Sequence, residues 1–162
     1  MIAALDAPGN ALSVHADGRH ARATIEAARG QVARSVGAAK DDIVFTSGGS
    51  ESNALALRGA IQGAAAAGER ITRLIISAVE HDSVLATAAI CEETAPGLRV
   101  LVCPVKVSGI VDMGELGRIL NGGKGRALVS LMAANNETGV VQPVAETTKV
   151  AHASGALVHC DA

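Results

Sequence analysis

Aromatic side chains are almost missing from this chain of 162 residues, which has no Trp, no Tyr and a single Phe, Phe45. Base-stacking platforms and aromatic cages both need several such rings, so nucleic acid is not an expected partner. An excess of charge of one sign is missing too. Fourteen basic against sixteen acidic side chains leave a net charge of −2, and no like-charge block is long enough to act as a polyelectrolyte tail. No apolar run approaches the roughly 20 residues that span a membrane, and residues 1–6 do not show the basic-then-apolar order of a signal peptide. These absences predict a cytoplasmic chain with no membrane contact. Cysteine is sparse. Cys91, Cys103 and Cys160 are odd in number and widely spaced, matching neither a disulfide framework nor a Cys-x-x-Cys motif, and are expected to be buried small hydrophobes. His15, His20, His81, His152 and His159 share no metal-ligand spacing with them, so no metal site is expected.

What is present is an interior. The composition is 49% hydrophobic, and a single domain near this length hides roughly 70% of its unfolded surface. No internal repeat and no long linker divides it, so one domain spanning 1–162 is the expectation. Short β-branched runs bounded by glycine alternate with longer Ala-rich segments, the pattern of βα units building a mainly parallel sheet with helices on both faces. Strands are predicted at 43–46, 71–77, 98–103, 127–132 and 156–160, the later ones apolar nearly throughout, as strands covered on both faces are. Helices are predicted at 17–36, 51–67, 82–94, 113–120 and 144–153. In the first, Ala21, Ile25, Ala28 and Val32 form an apolar stripe with Asp17 placed to cap it. Residues 107–111, with Gly109, read as a short strand or a turn.

Candidate chemistry gathers after the strands. In Phe45-Thr46-Ser47-Gly48-Gly49-Ser50-Glu51-Ser52-Asn53, Gly48 and Gly49 permit close backbone approach and Ser50 opens a helix whose N–H groups favour an anion. The same residues also read as an ordinary glycine turn with Ser50 as N-cap. Glu80-His81 follows the next strand, where open α/β sheets bind ligands. An imidazole there stacks on a planar ring or moves a proton, or is a solvated cap. Asn135 and Asn136 follow a later strand and suit either a ligand oxygen or a turn. Asp161, after the last strand, is expensive to bury unless a cation or several donors meet it. A helix N-cap is its plainer reading. His159 is expected to face the core or a helix.

Taken in order, these segments resemble the class V aminotransferase family of pyridoxal-phosphate enzymes, and most closely its cysteine desulfurase branch of the nitrogen-fixation and iron–sulfur cluster type. The likeness runs from about Pro8 to Ala162. It is most specific at 45–53, at Glu80-His81, and at Asn135-Asn136-Glu137-Thr138-Gly139-Val140-Val141-Gln142-Pro143. The stretch from Gly9 to Arg19 also fits, with Ala11-Leu12 where the family usually has Pro-Ser. The resemblance implies part of the large domain of a fold-type I pyridoxal-phosphate-dependent transferase. It implies pyridoxal 5'-phosphate as cofactor, with Gly49 and Ser50 on the phosphate and His81 stacked on the ring. Asn136 would lie near the phenolic oxygen, and Asp161 would pair with the ring nitrogen. It further implies an intact homodimeric enzyme that converts L-cysteine to L-alanine and passes sulfur to an enzyme cysteine as a persulfide.

In the family, the Schiff-base lysine in a Ser-x-His-Lys segment, the sulfur-accepting cysteine and the substrate arginine come later than the stretch matched here. Lys40, Lys106, Lys124 and Lys149 fall in no such motif and read as surface charges. No catalytic residue is therefore expected within the chain, which reads as the N-terminal portion of the cofactor-binding domain, inactive alone and poorly soluble. Another class V activity, or a non-catalytic partner of a full-length homologue, is the alternative.

Overall fold

The computed structural model describes residues 9–162, in two compact units divided after Thr46. In the first, helix α1 (Ala16–Val36) starts at His15, whose Nδ1 accepts from the Gly18 N–H at 3.3 Å. The expected cap, Asp17, sits instead in the first turn, where its charge suits the helix dipole but its backbone is already helical. The stripe stays open, with Ile25 and Val32 40% and 41% exposed. Glu26 joins Lys40 and Arg29 at 2.8 and 3.2 Å, and these partners, Lys40 foremost, hold its carboxyl below the usual range. The Arg29 guanidinium lies 4.9 Å from the Phe45 ring centre. Residues 43–46, expected as a strand, have no strand partner among the described residues, and a strand without a ladder is not one.

The second unit is an α/β layer. Helix α2 (Gly49–Ala66) precedes β1 (Ile71–Ser77), α3 (Asp82–Thr94), β2 (Arg99–Cys103), α4 (Met113–Gly122), β3 (Arg126–Ser130), α5 (Val144–Ala153) and β4 (Leu157–His159). The four strands form one sheet in the order β2-β1-β3-β4, every pair parallel. Successive side chains of β1 point to opposite faces. Leu74 and Ile76 pack with Leu57 of α2 and Val84 and Ala88 of α3, while Ile75 packs with Leu116 of α4, Val129 and Ala151 of α5. Both faces of β1 and β3 are thus covered, as apolar strands predict, whereas the edge strands β2 and β4 are partly exposed, with Val102 open to solvent, and each fully buried Leu or Ile contributes about 1.5–3 kcal/mol. Between β3 and β4 the backbone ladder runs on, with the Leu131 and Ala133 N–H groups donating to the His159 and Asp161 carbonyls. Residues 107–111 turn through Gly109, with a single antiparallel bridge between Val105 and Val111. No helix among the described residues is long and apolar enough to cross a membrane.

The winding reverses at β1. The chain steps from β1 to β2 on one side and then crosses back to β3 on the other, which leaves a crevice outside the C-terminal ends of β1 and β3. Open α/β sheets bind their ligands at such a reversal.

Near the opposite end of β1, Arg73 is 8% exposed and faces no carboxylate within ion-pair distance among the described residues. Its Nη1 donates to the Ile119 and Leu120 carbonyls and its Nη2 to that of Gly125, so it caps the C-terminus of α4 with a positive charge. Gly123 makes room for it, since a Cβ there would lie 2.5 Å from Nη1. Arg73→Leu is expected to lower unfolding stability by about 3 kcal/mol, because it leaves buried carbonyls without donors. Arg73→Lys should recover little, lacking the guanidinium fork. Urea unfolding of the two variants checks this, and a loss below about 1 kcal/mol for Arg73→Leu would refute it.

Candidate functional site

At the crevice, a buried carboxylate ties the strand ends together. Glu80, 6% exposed, accepts at Oε1 from the Ser77 hydroxyl at 2.6 Å and the Met132 N–H at 2.9 Å, and at Oε2 from the Ser130 hydroxyl at 3.1 Å. Ser77 ends β1 and Ser130 ends β3. Because the Ser130 proton goes to Glu80, the Nδ1 of His159, 2.9 Å from the same hydroxyl oxygen, must donate to it. Burial holds His159 below its ordinary range, against the opposing charges of Glu80 and Asp161. The expectation that His159 turns inward rather than to a substrate agrees with this bond.

His81 follows as the N-cap of α3. Its Nδ1 accepts the Ser83 N–H at 3.1 Å and lies 2.8 Å from the Ser83 hydroxyl. The imidazole is exposed and borders a cleft of about 340 Å³ lined also by Met132, Ala133, Ala134, Asn136, Asp161 and Ala162. A second cleft of about 320 Å³, bounded by the 78–82 and 135–138 loops, shares His81 and Asn136 with it.

The two asparagines divide their work. Asn135 Oδ1 accepts from the Glu137 and Thr138 N–H groups and the Thr138 hydroxyl, while its Nδ2 donates to the Val79 carbonyl. This closes a turn whose Gly139, at φ 72°, takes a conformation that side chains resist. Asn136 is exposed at the junction of both clefts, with its amide open to a ligand.

Asp161 is half-buried. Its Oδ2 accepts from Asn53 Nδ2 at 2.9 Å, and no described cation comes within ion-pair distance. The cationic partner expected from sequence is thus not a side chain of the described residues. What stands beside the carboxylate is one amide donor and the open cleft.

At the start of α2, Gly48 is the N-cap and offers no side chain. Ser50, read from sequence as a possible N-cap, is already helical. Glu51 reaches back instead to the Ser47 N–H and hydroxyl at 2.7 and 2.5 Å, and these bonds hold its carboxyl below the usual range. The first-turn N–H groups of Gly49 and Ser50 have no intrahelical acceptor, and a Cβ at Gly48 or Gly49 would meet nothing within 4 Å. That combination is an open anion cradle. Gly49 and Ser50 do not line either cleft. They precede by one turn Asn53, whose side chain reaches Asp161.

Sequence reasoning missed Asn53, Ser83 and Ser130, and saw Glu80 only as a neighbour of His81. A signal existed for Asn53, a polar residue heading the buried stripe Asn53, Leu57 and Ile61. Of the cysteines, Cys91 and Cys103 are buried as expected, and burial pushes the Cys103 thiol up to about 11. Cys160 is exposed, a correction. It stands past the end of β4, beyond the apolar run. Partial burial, then the charges of Glu80 and Asp161, raise its thiol, the opposite of what prepares a nucleophile.

A family model described as aminotransferase class-V matches residues 5–162. The cysteine desulfurase IscS of Dictyoglomus turgidum is 39% identical over 154 residues, covering 95% of this chain and 37% of that protein. A mitosomal cysteine desulfurase of Trachipleistophora hominis is 40% identical over 148 residues, 91% of this chain and 32% of that one. Among solved structures, DndA from Streptomyces lividans superposes with a TM-score of 0.81 at 35% identity, covering 99% of this chain and 44% of that one. The chain therefore spans less than half the length of these relatives.

Two outcomes follow from the Glu80 network. Glu80→Ala strands two hydroxyls and an N–H, and is expected to cost about 3 kcal/mol or more in urea unfolding. Glu80→Gln can satisfy every partner once the Ser130 hydroxyl turns to His159 and the imidazole moves its proton from Nδ1 to Nε2, and should stay within about 1 kcal/mol of the parent. Equal losses in both variants would refute the bonding scheme. His159, lowered in the fold, stabilises fully above its unfolded value of about 6.5, and that stability is lost as pH falls through the folded value. Unfolding midpoints between about pH 7.5 and pH 5 should therefore decline more steeply in the parent than in His159→Gln; parallel slopes would refute this.

Proposed function

Because the chain belongs to the class-V aminotransferase family, we propose that its Ser47–Ala162 unit holds pyridoxal 5'-phosphate for a cysteine desulfurase reaction. In that reaction L-cysteine yields L-alanine and sulfur passes to a cysteine thiol. The observation that carries the reading is Asp161, a half-buried carboxylate with an amide but no cation beside it, in one cleft with His81 and Asn136. A protonated pyridine nitrogen is the kind of cation such a carboxylate accepts.

The residues fit the group. Asp161 holds the proton on the ring nitrogen, and His81 gives the ring a flat surface. Asn136 donates to the phenolic oxygen. The uncapped N–H groups of Gly49 and Ser50, with the Ser50 hydroxyl, take the phosphate. When bound, the cofactor supplies an electron-withdrawing ring for bond breaking at the substrate's α-carbon. No lysine and no cysteine among the described residues borders either cleft, so these residues bind and orient. The proton-moving lysine and sulfur-accepting thiol of the desulfurase reaction would come from outside this unit. The proposal includes a reducing compartment such as the cytosol, where free thiols persist, although one relative is mitosomal.

The test uses pyridoxine 5'-phosphate, which keeps ring and phosphate but lacks the aldehyde that would react with surface lysines. The chain should bind it saturably in calorimetry, and pyridoxine without phosphate more weakly. Asp161→Ala should weaken binding about tenfold or more, the loss of a charge-assisted hydrogen bond. Absence of saturable binding, or an Asp161→Ala variant that binds equally well, would sink the reading.

A further inference from the structure

We propose that Asn53 is a positioning residue that fixes both ring-contacting side chains, orienting the Asp161 carboxylate and setting the tautomer of His81 through Ser83. This rests on the cleft being a pyridoxal-phosphate site. Asn53 is 4% exposed, and its Nδ2 lies 2.9 Å from Asp161 Oδ2 and 3.0 Å from the Ser83 hydroxyl oxygen. A carboxylate accepts only, so the amide nitrogen must face it, and its second hydrogen goes to Ser83.

The direction of the remaining bonds follows. The Ser83 N–H lies 3.1 Å from His81 Nδ1 and gives that nitrogen one donor, which the Ser83 hydroxyl doubles. The Ser83 hydroxyl oxygen, taken by Asn53, sends its own proton to the same nitrogen at 2.8 Å. With two donors on Nδ1, the tautomer this arrangement selects is the one with the ring proton on Nε2. The side-chain bonds run outward from one amide, and the Ser83 N–H adds its own to His81.

Two consequences serve the site. A neutral ring adds no positive charge beside a cationic pyridine nitrogen, and Asp161, held by one oxygen, keeps its other oxygen for the cleft. Asn53 also lies one turn beyond Ser50 on the same face of α2. The element that offers N–H groups to the phosphate thus carries the side chain that anchors the ring end, and one rigid helix sets the span between them. Asp at position 53 would accept where donors are needed, and Leu would leave Asp161 without its amide.

The test compares the parent chain with Asn53→Asp and Ser83→Ala. Ring-nitrogen chemical shifts of His81, read by NMR on the cofactor-free chain at mildly alkaline pH, should show the Nε2–H form in the parent. In Asn53→Asp the Ser83 hydroxyl should turn to the new carboxylate, the Nδ1–H form should rise, and affinity for pyridoxine 5'-phosphate should fall about tenfold. Ser83→Ala should raise the Nδ1–H form while leaving the Asp161 contact intact, with a smaller affinity loss, and decides the matter if Asn53→Asp does not fold. A parent His81 protonated on Nδ1, or variants with unchanged tautomer, would overturn the proposal, as would an affinity loss without a tautomer change, which marks only a packing defect. A parent chain that does not bind pyridoxine 5'-phosphate overturns the cofactor reading and this proposal together. A parent that binds, with unaltered variants, overturns this one alone.

Discussion

The carboxylate of Glu80 is the constraint on which the crevice rests. Parallel strands end where their ladder ends, and past that point the loops have no regular partner. Glu80 supplies one. By accepting from Ser77, Ser130 and Met132, it fixes the end of β1 to the end of β3 across the line where the winding reverses. The loops leaving those ends carry His81 and Asn136 into shared clefts. A neutral apolar side chain could fill the same space but would leave three buried donors unmet, and that asymmetry explains an acid at this crossing.

Much of this architecture was legible beforehand, and the reasons differ by element. Strand β1 and helices α3 and α5 could be read because their apolar runs are bounded by glycine, histidine and proline, and both faces of β1 are covered. Residues 43–46 have the same β-branched look, yet strand formation depends on a partner that local composition does not report. The cap of α1 lies two residues before the Asp17 that the sequence suggests, because Asp17 is the better intrinsic cap, whereas the extended backbone that a cap needs occurs at His15.

The site shows a sharper division. His81, Asn136 and Asp161 were visible as polar residues following apolar strands, and the structure gathers them at one cleft. What joins them was not visible, because Asn53 and Asp161 are 108 residues apart in sequence and meet only through the fold. Polar residues inside buried stripes are the one sequence trace such bonds leave. Asn53 is that trace in α2, and Thr147, fully buried in α5, shows that the trace is not specific, since its hydroxyl meets only the Met113 sulfur.

Charge placement explains why the cleft suits a ligand of mixed sign. The buried cation of the second unit, Arg73, caps α4 through the opposite end of β1, and no Lys or Arg among the described residues borders either cleft. The crevice therefore offers a carboxylate, and outside the two clefts, one turn back along α2 from Asn53, stands a helix N-terminus whose N–H groups carry partial positive charge. A purely anionic ligand would face Asp161, and a purely cationic one would find no use for the N-terminus of α2. A molecule with a phosphate at one end and a protonated ring nitrogen at the other satisfies both. Asn53 lies in the helix proposed to take the first and touches the carboxylate proposed to take the second, so on that reading one element sets the distance between them.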